Sequence, residues 1–183
     1  HDHAIDGPFF RGQQVIDPRN DYPLLMPLDS AVVFLLGHTY DDTAVRWLYV
    51  LTFVAFVLFI RERLGPWPAA ILAWIPKFSV AGEGGALSAY NDIPLAAFVA
   101  AAFFELMDGK RPLRFGMWLA FAALTKNEGL ALALILLAAG VYVFRRRIAP
   151  ALAPFGVVII ALAVWKHRIP HGGEEDLAAL LPT

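Results

Sequence analysis

The chain contains no cysteine, which removes disulfides, thiolate nucleophiles and cysteine-based metal sites from consideration. It is also poor in charge, with 17% Asp, Glu, Lys and Arg, where a typical soluble domain carries roughly 25%. The formal net charge of −1 argues against a broad nucleic-acid-binding surface. The opening residues His1-Asp2-His3-Ala4-Ile5-Asp6-Gly7-Pro8 lack an initiating Met, a basic stretch and an apolar stretch, so they do not form a signal peptide. The chain therefore reads as a fragment whose first spanning helix lies upstream.

What is present is apolar sequence. Hydrophobic residues make up 58% of the 183, with mean hydropathy +0.58. A soluble domain of this size does not need that much; a set of membrane-spanning helices does. The expected fold is all-α, a multi-pass transmembrane helical bundle forming a single membrane domain. Residues 1–22 form a polar outer loop. The run from Tyr22 to Gly37 holds Pro23, Pro27 and Asp29 and is short for a span, so it is placed along the membrane surface as a juxtamembrane helix. Asp41-Asp42-Thr43 reads as a capping cluster for the helix that follows. Six spanning helices are expected at 44–60, 66–81, 93–107, 113–125, 130–144 and 148–165, and 166–183 form an outer tail.

Charge orients these helices. If they alternate, Arg61, Arg63, Lys110, Arg111, Arg114, Arg145, Arg146 and Arg147 fall on one side, which the positive-inside rule makes cytoplasmic. The other side receives every acid except Glu62, Glu105 and Asp108, and all five histidines. The expected arrangement is thus a multi-pass integral membrane protein with a chemically equipped face turned outward.

The stretch Ala89-Tyr90-Asn91-Asp92-Ile93-Pro94-Leu95-Ala96 sets a carboxylate at the start of an apolar helix, with Pro94 in the first turn, where its missing N–H has no intrahelical role. Asp92 at that position either caps the helix or faces a cavity. The helices at 93–107 and 113–125 are only about 20 Å long, against a hydrocarbon core of about 30 Å. Their outward ends therefore lie below the membrane surface, where polar backbone is tolerated only if it lines an enclosed or wet cavity. Asp92, Lys126 and Glu128 are candidates for one outward crevice, with Glu83 at its rim. The competing reading has Lys126 snorkelling to the interface and pairing with Glu128. A crevice with a lysine, carboxylates and an apolar wall suits a substrate that is part phosphate and part lipid. Lysine supplies a compact cation for phosphate, and a carboxylate can act as general base or hold a divalent metal.

Three motifs then resemble a known family. Asp21-Tyr22-Pro23-Leu24-Leu25-Met26-Pro27-Leu28 resembles the "hpDYPLLLPL" stretch of bacterial membrane glycosyltransferases of the GT-C superfamily, the protein-mannosyltransferase and aminoarabinose-transferase-like group. Tyr90-Asn91-Asp92-Ile93-Pro94-Leu95-Ala96 is similar to their "GYADLPLA", and Thr125-Lys126-Asn127-Glu128-Gly129-Leu130 to their "TKNEGL". The resemblance runs from about residue 1 to residue 170 and corresponds to the N-terminal half of such an enzyme. It implies a bacterial inner (plasma) membrane location, a polyprenyl-phosphate or polyprenyl-diphosphate sugar as donor, a glycan, lipid or protein acceptor, and transfer on the outer face with inversion at the anomeric carbon. In that family a catalytic Asp in the first outer loop takes the acceptor proton; the position falls on Asp2, with Asp6 as the second choice and Arg11 near the family's basic residue. The resemblance further implies that Asp92 supports the acceptor or metal side, and that Lys126 and Glu128 border the donor phosphate. Departures are a missing Trp and an intruding Gly7-Pro8 near Asp2, Asn91 in place of a usual Ala, and Asp29 inside a usually apolar helix.

A transporter or flippase for a lipid-linked or anionic solute is the alternative. It would carry charges near helix centres and broken helices in paired positions, whereas here the charges sit at hairpin tips and no internal repeat is visible. A purely structural membrane fragment is the third reading. Trp47, Trp67, Trp118 and Trp165 read as interfacial aromatics, Trp74 as an internal packing residue and Glu105 as hydrated near the inner surface. His167 and His171, near Glu174, Glu175 and Asp176, read as solvated.

Overall fold

The computed structural model describes residues 25–37, 42–75 and 91–168. Among these residues the protein is all-helical, with seven α-helices and a single 3-10 turn. They are α1 (Leu25–Gly37), α2 (Asp42–Leu64), α3 (Pro66–Trp74), α4 (Asp92–Asp108), α5 (Pro112–Thr125), α6 (Asn127–Phe144) and α7 (Ala149–Arg168), with the 3-10 turn at Arg145–Arg147 between the last two.

Local chemistry sets most of the boundaries. Gly65, at φ 96°, takes a left-handed conformation open to glycine and ends α2, and Pro66 starts α3 where no backbone donor is needed. Gly109, at φ 62°, closes α4 in the left-handed conformation, its N–H bonding the Glu105 carbonyl at 3.1 Å. Pro112 opens α5. The link from α5 to α6 is Lys126 alone, in extended conformation at φ −159° and ψ 154°. Its carbonyl accepts the Gly129 N–H at 2.9 Å and the Leu130 N–H at 3.3 Å, so α6 starts immediately.

α5 is the central helix and packs against α4, α6 and α7. It can do so because small residues admit neighbouring backbones. A β-carbon on Gly116 would overlap the backbone of Ala151 in α7, and one on Gly129 of α6 would overlap the Ala122 carbonyl of α5. Gly140 of α6 receives the ring of Phe115, which also packs on Phe144 at 5.3 Å between centroids. Ala102, Leu119, Ala123, Ala133 and Phe155 complete this core. A second cluster joins α2 to α3 and α4 through Phe56, Ile60 and Ala69, and a third sets α1 on the first turns of α2 through Val45 and Tyr49.

The helices alternate in direction, so the bundle has two chemically different ends. Tyr49, Asn91, Asp92, Thr125, Lys126 and Glu128 meet at one, through the contacts described below. Arg63 meets Asp108, Arg114 approaches Glu105, and Arg147 Nη2 reaches the Gly109 carbonyl at the other. The segregation of basic loops to a single end, expected from sequence, is therefore present in the fold.

Several boundaries depart from expectation. α2 extends beyond 44–60 at both ends, α6 begins three residues before 130, and α7 continues through Arg168, so Lys166 and His167 lie in its last turn rather than in a tail. α3 ends at Trp74, short of the expected 81, and residues 76–81 lie outside the described residues. Trp74 is 86% exposed rather than packed, because Trp67, Ile71 and Trp74 share the outward face of a short helix. Two helical stretches are long and apolar enough to cross a membrane, Thr43–Leu64 and Asn127–Arg147. The other helices are shorter or less apolar. The large apolar side chains of α2 nevertheless point outward along one stripe, Trp47, Leu51, Val54 and Leu58, as do Leu28, Val32, Leu35 and Leu36 on α1.

Candidate functional site

The candidate site is built where the start of α4 meets the α5–α6 link. Asn91 is the N-cap position of α4 and its side chain makes no capping bond, while Asp92 is the first helical residue. This corrects the capping alternative for Asp92: its carboxylate is turned to Lys126. The Lys126 ammonium lies 2.9 Å from Asp92 Oδ1 and 3.7 Å from Glu128 Oε1. Exposure grades across the three side chains, 23% for Lys126, 41% for Asp92 and 63% for Glu128. The ammonium is thus the most sheltered member, held by one close carboxylate and approached by a more solvated one.

A second layer fixes the first. Tyr49 is buried on α2, and its hydroxyl donates to Asn91 Oδ1 at 3.0 Å. The Asn91 amide donates in turn to the Thr125 carbonyl at 3.3 Å. That carbonyl belongs to the last turn of α5 and has no acceptor role within the helix once Lys126 turns extended. Thr125, itself fully buried, donates its hydroxyl to the Phe121 carbonyl at 2.7 Å. Three helices, α2, α4 and α5, are therefore tied together directly beneath the Asp92–Lys126 pair.

Of the residues singled out from sequence, Asp92, Lys126 and Glu128 come together. Asp2, Asp6, Arg11 and Glu83 lie outside the described residues, as does His171. Asp29 sits on α1, half-buried, and burial pushes its carboxyl up from the ordinary carboxylate value. Tyr49 and Thr125 were missed by sequence reasoning. The signal for Tyr49 was available: it is a hydroxyl within a helix long enough to span a membrane, where polar groups need a partner.

Among the described residues no group of three or more His, Asp or Glu side chains converges, and the Asp92 carboxylate already faces an ammonium.

The opposite end carries the arginines. Arg63 donates to Asp108 Oδ2 at 2.7 Å and lies over the rings of Phe59 and Phe104 at 5.6 and 5.7 Å from their centroids. The bond to Arg63 holds the Asp108 carboxyl below the usual carboxylate range. Glu105, expected to be hydrated, is 4% exposed. α2 and α5 cover it, bringing Arg63 to 3.9 Å and Arg114 to 3.8 Å of its Oε1, while Oε2 is buried with no hydrogen-bond partner among the described residues.

The described residues thus define an all-helical bundle with two helices long and apolar enough to cross a membrane and a polar cluster centred on one lysine. No protein-family model, curated protein or solved structure matches the chain.

Proposed function

We propose that this protein is a multi-pass membrane glycosyltransferase of the GT-C type, transferring a sugar from a polyprenyl-phosphate or polyprenyl-diphosphate donor to an acceptor on the outer face of a bacterial inner membrane. The observation that carries the reading is the Lys126–Asp92 contact at 2.9 Å, between residues 34 apart in sequence. Two of the three stretches that resemble the GT-C enzymes hold these residues, and a shared site requires such motifs to meet.

The arrangement suits the reaction. A lysine ammonium has three N–H donors, one of which is directed at Asp92, and Glu128 is the distant and exposed partner that a phosphate oxygen displaces. Asp92, with Oδ1 2.9 Å from the ammonium, can accept a hydroxyl proton or orient the acceptor. The Tyr49–Asn91–Thr125 chain keeps the start of α4 and the end of α5 in register, so that the carboxylate and the cation do not drift apart. α1 packs on the first turns of α2 beside this cluster, and its outward Leu35 and Leu36 offer an apolar surface for a polyprenyl chain. The outward apolar stripes on α1 and α2 fit a bilayer better than water.

The test is sugar transfer by the protein in proteoliposomes supplied with radiolabelled polyprenyl-phosphate sugars, with Asp2→Asn, Asp6→Asn and Asp92→Asn alongside. Label on an acceptor, lost in one of these variants, is the expected result and identifies the base. Donor that crosses the bilayer with its sugar still attached, and with no transfer, would overturn the enzyme in favour of a lipid-linked solute carrier.

A further inference from the structure

The end of the bundle remote from Lys126 carries an excess of positive charge that the proposed transfer does not use. Lys110, Arg111 and Arg114 come from the α4–α5 turn and the start of α5, and Arg145, Arg146 and Arg147 from the turn before α7; all six are exposed. The two turns are held side by side. Arg147 Nη2 lies 3.4 Å from the Gly109 carbonyl, Val143 lies against Gly109, and Phe144 packs on Phe115 just beneath.

Little negative charge answers them. Asp108 is bonded to Arg63 at 2.7 Å, and Glu105 is buried and approached, among these six, by Arg114 alone, at 3.8 Å. Lys110, Arg111, Arg145, Arg146 and Arg147 make no ion pair among the described residues. The backbone supports the clustering at a cost: Arg145 is the one described non-glycine residue with positive φ, at φ 50° and ψ −122°, a conformation that favours glycine. A 3-10 turn has about three residues per turn, so three successive guanidinium groups fan out around it instead of converging. The patch is a collar of cations and not a pocket. Just inside the collar the exposed side chains turn apolar, with Met107, Tyr142 and Val143 next to the cations.

We infer that this collar binds the phosphodiester headgroups of anionic phospholipids in the leaflet opposite the transfer site, with the acyl chains lying on the apolar band beside it. Charge complementarity and the abrupt change from cation to apolar surface over one helical turn select a lipid over a soluble polyanion, because a soluble partner has no use for the band. The inference rests on the membrane-embedded reading proposed above. Because the cations fan out, recognition is by charge density, and phosphatidylglycerol and phosphatidylserine are equivalent ligands.

The test is native mass spectrometry of the intact protein released from nanodiscs containing equimolar phosphatidylcholine, phosphatidylglycerol and phosphatidylserine, after carbonate extraction has been used to check membrane embedding. The wild type is expected to retain the two anionic lipids at least tenfold over phosphatidylcholine, since a single cation near an anionic surface is already worth roughly fivefold. Replacing Arg145, Arg146 and Arg147 together by Gln should lower the preference at least fivefold, with Lys110, Arg111 and Arg114 supplying what remains. Replacing them together by Lys should keep it, which separates charge from misfolding. Arg46→Gln, which removes an exposed cation elsewhere on α2, should leave it intact. An unchanged preference in the triple Gln variant would overturn the inference, as would loss of bound lipid to millimolar inorganic phosphate. A carbonate-resistant wild type with no lipid preference would overturn the inference alone; a carbonate-extracted protein would overturn the membrane reading with it.

Discussion

The two ends of the bundle solve the same problem, placing charge at the tips of apolar helices, in opposite ways. At the lysine end one cation is closed in by two carboxylates and backed by a hydrogen-bonded layer from α2, α4 and α5. At the arginine end eight basic residues meet three acids, one of them buried with an unsatisfied oxygen. A balanced and braced cluster is suited to holding geometry, as chemistry requires. An unbalanced and fanned cluster is suited to attracting a charged surface. The same residue types thus acquire different roles from how many partners the helix ends bring to them.

The strongest way to break this contrast is to remove charge at each end and compare turnover. Asp92→Asn is expected to lower transfer about a thousandfold, whereas Arg146→Gln should leave the rate within about twofold because its charge sits on an exposed turn remote from the cluster. Equal losses would mean that the ends are not functionally distinct. Next in size are the close helix approaches beneath the two clusters. Gly129→Ala near the lysine end and Gly116→Ala near the arginine end should each destabilise the fold by about 3 kcal/mol, since a methyl group meets backbone that cannot move aside. Gly156→Ala on α7, where no atom lies within 4 Å, should instead stabilise by about 0.5 kcal/mol through helix propensity. Thermal midpoints in detergent would rank the three.

Smaller effects sharpen the comparison. Tyr49→Phe removes the hydroxyl that holds Asn91 and should cost about 1 kcal/mol, with a larger effect on kcat than on donor KM because the change misaligns Asp92 and leaves Lys126 in place. At the other end Glu105→Gln should change stability by no more than about 0.5 kcal/mol. Its ion pairs are 3.8 and 3.9 Å long and Arg63 keeps its 2.7 Å bond to Asp108, so little attraction is lost when the carboxylate is neutralised. A loss of several kcal/mol on denaturant titration would show that Glu105 is the hub of that end.

These residues also show what could be read in advance. The segregation of basic loops was legible because it depends only on charge and on helix count, and glycine and proline at 65, 66, 109 and 112 marked turns that the backbone does make. The meeting of Asp92 with Lys126 and Glu128 was legible through helix length. The start of α6 was not, because Asn127-Glu128-Gly129 looks like a turn while only Lys126 leaves the helical conformation. Gly129 is there for close packing, a tertiary cause with no local signature. Glu105 and Trp74 failed for the same reason in opposite directions. Which face of a helix is covered depends on neighbours far away in sequence, and those neighbours hide an acid on α4 and leave a tryptophan on α3 open.

The one-residue link between α5 and α6 has a consequence for biosynthesis. Under the membrane reading proposed above, two antiparallel apolar helices joined by a single extended residue would enter the bilayer as one hairpin, whose tip, which crosses first, carries Lys126. Moving a lone ammonium through the bilayer centre is costed at about 2.5–3.5 kcal/mol on insertion scales. Glu128 travels with it on the same tip, and Asp92, made 34 residues earlier at the start of α4, is already on the far side to receive it. The order of synthesis delivers the counter-charge before the charge.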